Sequence, residues 1–169
     1  IAGTHSPGTS PGVQTIAGDL VYSAGSNLAW ELVNNAAATR GTDFGGVDVG
    51  ATLDFNGATT LDLVFDLAGS SNVDWTDLFW ATEHLGTGGW LIYGVTGTTS
   101  NVGNLALATS NWQDGNGALF NTELPKAYFA LFQDGDNIYL NYGIIPEPTS
   151  ALLLALIGLA LSRRRKECR

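Results

Sequence analysis

The sequence predicts an all-β fold: the end of a parallel β-helix or solenoid with a capping region and a terminal hairpin, followed by one short C-terminal transmembrane helix. Three observations lead there. From Gly18 onward apolar and polar residues alternate with period two, the mark of strands with one buried face. A strand–turn–strand unit then recurs at an offset of 33 residues, with Leu20, Tyr22, Leu28, Trp30 and Leu32 answered by Leu53, Phe55, Leu61, Leu63 and Phe65, as stacked repeats require. The chain ends in an uncharged apolar run, Ala151 to Leu161, stopped by Arg163-Arg164-Arg165-Lys166. A β-sandwich is the alternative arrangement of the same strands.

The chain divides into a Pro/Gly turn segment (1–12), a β domain (13–145) and a tail (146–169). Ser6-Pro7-Gly8 recurs as Ser10-Pro11-Gly12, and Pro-Gly steps favour tight turns, here feeding a strand at Val13–Ile16. In the first unit Val21, Ala29 and Glu31 face opposite to the leucines, and Ser26-Asn27 matches Thr59-Thr60 in the polar turn. The polar, glycine-rich stretch from Asn34 to Gly46 reads as a loop leaving the stack. Between Asp74 and Val95, Trp75, Phe79, Trp80 and Trp90 gather with Leu78, Leu91 and Ile92, which suits a cap over the last repeat. Near-helical spacing predicts a short helix within Asp74–Glu83. Thr96 to Gly103 reads as a loop. Leu105, Leu107 and Trp112 precede a turn at Asp114-Gly115-Asn116-Gly117. A hairpin follows, with Tyr128 to Phe132 going out, Asp134-Gly135-Asp136-Asn137 turning and Ile138 to Tyr142 returning. It leads straight into Pro146, so the tail hangs by a very short tether.

Charge and composition exclude several function classes. The whole chain carries −9, but the tail holds five basic and two acidic residues; before Pro146 the basic residues are Arg40 and Lys126, and the net charge there is −12. Such a body lacks the electrostatic footprint of a nucleic-acid binder and is repelled by anionic lipid. The single cysteine, Cys168, permits no internal disulfide and no cysteine-rich metal site. With neither a methionine nor a basic segment leading into an apolar one at its start, the chain is expected to be a C-terminal fragment or a processed form.

Catalytic chemistry finds little purchase. His5 and His84 are the only histidines; they read as surface imidazoles, and no Gly-x-Ser-x-Gly elbow supplies a nucleophile. Asp134 with Asp136, or Asp43 with Asp48, suggest an acid/base pair or a calcium site, but calcium demands six or more oxygens from a defined loop, and turn chemistry explains Asp134-Gly135-Asp136 and Asp114-Gly115-Asn116-Gly117 without a ligand. Gly86-Thr87-Gly88-Gly89 has neither the spacing nor the lysine of a phosphate-binding loop. Trp75, Trp80, Trp90 and Trp112 would make a sugar-stacking platform if exposed, but their alternation with leucine and isoleucine assigns them to the core. The expectation is no catalytic residue, no metal and no cofactor.

The tail has three pieces in order. Pro146-Glu147-Pro148-Thr149 is stiff and extended, since proline fixes φ and biases its predecessor away from helix. Residues 150–162 form the expected transmembrane segment, with Ala151, Leu152, Leu153, Leu154, Leu156, Ile157, Leu159 and Leu161 facing lipid. Its leucines and isoleucine favour insertion by about 2–4 kcal/mol. A helix from Thr149 to Ser162 reaches only ~21 Å against a hydrocarbon core of about 30 Å, so spanning requires local thinning and arginines that reach to the interface. Residues 163–169 are the basic stop, carried by Arg163, Arg164, Arg165 and Lys166. Positive charge favours the cytoplasmic side, which places the body outside.

This layout closely resembles the PEP-CTERM sorting signal of Gram-negative bacteria. The resemblance implies export, retention at the inner membrane and recognition by exosortase, a membrane-embedded, cysteine-transpeptidase-like enzyme. Pro146, Glu147 and Pro148 match the recognition motif, and Arg163 to Arg165 the stop. In the body, Ser-Pro-Gly followed by Gly-Asp-Leu, Ala-Gly-Ser and Leu-Ala-Trp-Glu-Leu, within Gly3 to Phe65, is similar to the C-terminal end of autotransporter-associated β-strand repeat proteins. That similarity implies an extracellular parallel β-helix without chemistry of its own. The expected function is therefore that of a secreted cell-surface or extracellular-matrix protein addressed by its tail. The alternatives are a carbohydrate-binding β-sandwich module on the same anchor, with surface polysaccharide as partner, and the C-terminal part of a larger secreted hydrolase.

Overall fold

The computed structural model describes residues 1–8, 11–65, 71–110 and 112–146. Its strands are β1 (Thr4–His5), β2 (Val13–Ile16), β3 (Leu20–Ser23), β4 (Ser26–Glu31), β5 (Gly46–Val49), β6 (Leu53–Asn56), β7 (Thr59–Val64), β8 (Trp90–Val95), β9 (Thr99–Ser100), β10 (Leu105–Leu107), β11 (Ala127–Asp134) and β12 (Asn137–Ile144). They form three sheets with orders β1-β4-β7-β10, β3-β6-β9 and β11-β12-β8-β5-β2. The first two are parallel throughout. The third is mixed, because β12 meets β8 antiparallel while β2, β5 and β8 run parallel.

The offset of 33 is a pairing register. Leu20 pairs with Leu53 and Tyr22 with Phe55 across β3 and β6; Leu28 pairs with Leu61 and Trp30 with Leu63 across β4 and β7. Period-two alternation sends those side chains inward, so all eight are buried. Each contributes about 1.5–3 kcal/mol by leaving water. Tyr22 and Phe55 stack with ring centroids 5.5 Å apart.

The expected fold class is corrected on several counts. The described residues close no barrel and build no solenoid; they make three sheets, parallel and mixed. Regular coiling does not continue, because the hairpin β11–β12 enters against β8 in the opposite direction. The flanking strands β1 and β9 are only two residues long. The sandwich alternative fails too, since most strand pairs are parallel, whereas sandwiches are antiparallel. No helix among the described residues is long and apolar enough to cross a membrane, and the segment expected to do so, 150–162, lies outside them.

Local expectations fare unevenly. The hairpin forms in full, Ala127 pairing with Ile144 through to Asp134 with Asn137. The helix expected in Asp74–Glu83 shrinks to one 3-10 turn, Leu78–Ala81, in which the Phe79 N–H is capped by the Asp77 carboxylate. The region expected only to cap the core also supplies a full strand, β8. The stretch from Asn34 to Gly46 does not leave the stack. Phe44 is buried and bridges Leu32, and Gly46 opens β5. Three indoles fasten this stretch: Trp30 donates to the Gly45 carbonyl at 2.7 Å, Trp80 to Asn35 Oδ1 at 3.0 Å and Trp90 to the Ala36 carbonyl at 2.8 Å.

Candidate functional site

The edge of the first parallel sheet, β10, passes the edge of the mixed sheet, β11. The chain between them turns back through Trp112 and a one-turn helix α1, Phe120–Glu123. A cleft of about 500 Å³ lies in this gap. Leu107 and Ala108 stand on one side, Ala127 and Tyr128 on the other, with the buried rings of Phe120 and Phe129 beneath. Thr109, Ser110 and Asn121 add hydroxyl and amide groups at its rim, and none of its lining residues among those described is charged. Tyr128 is 42% exposed. Its ring lies across Gly143, its partner on β12, so closely that a side chain at that position would overlap it. Glycine beneath an aromatic ring lets the ring lie flat on the sheet.

Trp112 is the wall shared with a second pocket of about 270 Å³, lined by Asp62–Phe65, Ser110 and Gln113. Its ring meets Phe65, Phe120 and Phe129 nearly edge-on, with centroids 5.4–6.2 Å apart. Trp75 donates to the Ala118 carbonyl at 3.1 Å, so Trp30, Trp75, Trp80 and Trp90 all have acceptors. The Trp112 Nε1–H is buried and has none. A further pocket of about 260 Å³ lies where the chain leaves β12, lined among others by Trp80, Leu124, Tyr142 and Ile144.

The sequence-predicted sites are dispersed. Pro146, the first residue of the tail motif, is exposed at the end of β12. Just before it the chain is clamped: Ile144 N–H donates to Glu83 Oε1 at 2.9 Å and Ile145 N–H to the Lys126 carbonyl at 2.7 Å. Glu147, Pro148, the apolar run from Ala151 and the basic block from Arg163 lie outside the described residues.

The histidines depart from expectation. His5 is buried rather than a surface imidazole, with Nδ1 against the Tyr22 hydroxyl and Nε2 against Gln14 Oε1, both at 2.5 Å. Burial raises the pKa of Tyr22 and of Tyr93, so both phenols stay protonated. His84 is half-buried, stacked on Phe79 at a centroid distance of 4.2 Å, and its Nε2 is buried without a partner. Desolvation lowers its pKa below the ordinary 6.5, against a smaller opposing effect from a hydrogen bond with the Phe79 backbone. The two rings have no neighbour in common among these contacts.

Several carboxylates are engaged in turns and clasps. Asp114 is buried and accepts backbone N–H groups from Trp75, Asn116 and Ala118 at 2.8–3.1 Å. Asp136 accepts from Thr99 N–H at 2.8 Å and Asp43 from Asn34 Nδ2 at 2.8 Å. No group of three or more histidine, cysteine, aspartate or glutamate side chains suited to a metal occurs among the described residues. Sequence reasoning passed over Arg40, whose guanidinium pairs with Asp48 and donates to the carbonyls of Val47 and Ile92, tying β5 to β8. Its rarity was the available signal: it is one of two basic residues in a strongly acidic body. Comparison with protein-family models, curated proteins and solved structures finds no match.

Proposed function

We propose that this protein is an exported, surface-directed β protein, addressed by its C-terminal tail to an exosortase-like membrane enzyme. The observation that carries the reading is the order of the tail: Pro146-Glu147-Pro148, an uncharged apolar run, then Arg163 to Lys166. The exposed Pro146, directly after a clamped strand, supports it, since a membrane enzyme must reach the motif without opening the body. The acidic body set against a basic tail supports an orientation with the body outside the cytoplasm. The body serves as a structural and binding module, with His5 held in hydrogen bonds, the His84 ring stacked on Phe79 and Asp114 holding a turn.

The test replaces Pro146-Glu147-Pro148 by three alanines in a host carrying an exosortase. The expected result is a changed C-terminal mass and retention of the protein at the inner membrane. Unchanged mass and location in the variant would overturn the sorting reading and leave a plain hydrophobic tail.

A further inference from the structure

We propose that the cleft between β10 and β11 binds an uncharged oligosaccharide. Its volume of about 500 Å³ falls within the range of small-ligand sites, roughly 300–1,000 Å³. The choice of ligand rests on three features of its lining.

The first is charge. The chain before Pro146 carries −12, yet every described lining residue of this cleft is neutral. An anionic ligand meets repulsion from the body and no cation in the site, and a cationic one finds no carboxylate to desolvate against. A neutral ligand faces neither penalty.

The second is the pairing of aromatic faces with short polar groups. Tyr128 lies flat over Gly143 and shows ring surface to solvent. Trp112 is partly exposed beside it, and Thr109, Ser110 and Asn121 offer hydroxyl and amide groups at the rim. A pyranose presents the same combination, with an apolar face of C–H groups that packs on an aromatic ring and a perimeter of hydroxyls. A purely apolar ligand would leave the rim hydroxyls of Thr109 and Ser110 unmatched.

The third is the Trp112 N–H, a buried donor without an acceptor in a protein whose other indoles are all satisfied. Leaving such a group unmade costs about 1–3 kcal/mol, so a small turn of the partly exposed indole that brings its N–H to a ligand hydroxyl in the cleft is favoured. An extended peptide could instead add to the free edge of β11, but backbone pairing along that edge makes no use of either ring or of the indole donor.

The experiment titrates the full chain in detergent micelles with short neutral β-glucan, α-mannan and galactan oligosaccharides. An oligogalacturonate serves as charged control and an extended neutral peptide as the rival ligand; binding is read by calorimetry and tryptophan fluorescence. At least one neutral oligosaccharide should bind with a Kd of about 1 mM or tighter. Tyr128→Ala and Trp112→Phe should each weaken it about tenfold, with the melting curve of the Tyr128→Ala protein unchanged as the folding control. The proposal is overturned if no neutral oligosaccharide binds, if binding survives both substitutions, or if the galacturonate or the peptide binds more tightly. The described residues that line the cleft all precede the tail, so each outcome is independent of whether the sorting motif is read.

Discussion

The Asp114 carboxylate accepts the backbone N–H of Trp75 at 3.1 Å, across 39 residues of sequence. The same carboxylate accepts the N–H groups of Asn116 and Ala118, so one buried anion holds its own turn and anchors the chain entering the aromatic cluster. Asp114→Ala should therefore destabilise the protein by about 2–4 kcal/mol, leaving buried N–H groups without acceptors. Asp114→Asn should cost less than alanine but still more than about 1 kcal/mol, because an amide NH2 cannot accept from Trp75. Urea unfolding followed by tryptophan fluorescence measures both.

Arg40 and Gly46 form a coupled pair. A Cβ at residue 46 would overlap the guanidinium that links Asp48 to the Val47 and Ile92 carbonyls. Gly46→Ala alone should cost about 1–3 kcal/mol. In an Arg40→Ala background the same change should be nearly neutral, giving a double-mutant coupling of about 1 kcal/mol or more. Additive losses would show that the arginine tip moves aside freely.

His84 makes stability depend on pH. Its folded-state pKa is depressed from 6.5 by burial, so the unfolded chain binds the proton more readily than the native one. The contribution of the neutral ring is whole above about pH 6.5 and is lost as pH falls below that value through the folded pKa. Urea midpoints taken between about pH 5 and 7 should decline toward the acid side. The decline should flatten in His84→Phe, which keeps a ring stacked on Phe79.

Tyr142 donates its hydroxyl to the Trp80 carbonyl at 2.7 Å inside the core. Tyr142→Phe should cost about 1–2 kcal/mol, the value of a buried hydrogen bond plus the orphaned carbonyl. The change leaves ring packing intact, so near-ultraviolet circular dichroism should keep its native shape while the melting temperature drops.

How much of this was legible depended on what each residue had to do alone. The match of Leu20 with Leu53 and Leu28 with Leu61 could be read directly, because parallel in-register pairing places like beside like. Carrying the same offset from Val13 to Gly46 would have found β5, but Gly46-Val47-Asp48-Val49 resembles a loop once its glycine and aspartate are taken for turn signals. Its glycine is there to clear Arg40 and its aspartate to pair with it, relations that no local pattern reveals. The mixed sheet was invisible for a similar reason: nothing in Ile138 to Leu140 states that β8 lies alongside it in the opposite sense. The cleft depends on two sheet edges meeting, and Trp112 was grouped with tryptophans that turned out to be fully buried.

The clamp at the end of β12 has a mechanical consequence. That strand is interior to its sheet, paired along its length with β11 on one side and, over Ile138 to Leu140, with β8 on the other. Tension applied at Pro146 pulls along the strand, so it loads those ladders in shear, many bonds together, rather than peeling them one by one. Forced unfolding is governed by the unfolding rate rather than by equilibrium stability, and a shear geometry keeps that rate low. Whatever grips the tail drags the whole folded body with it, as a rope knotted through the middle of a net moves the net.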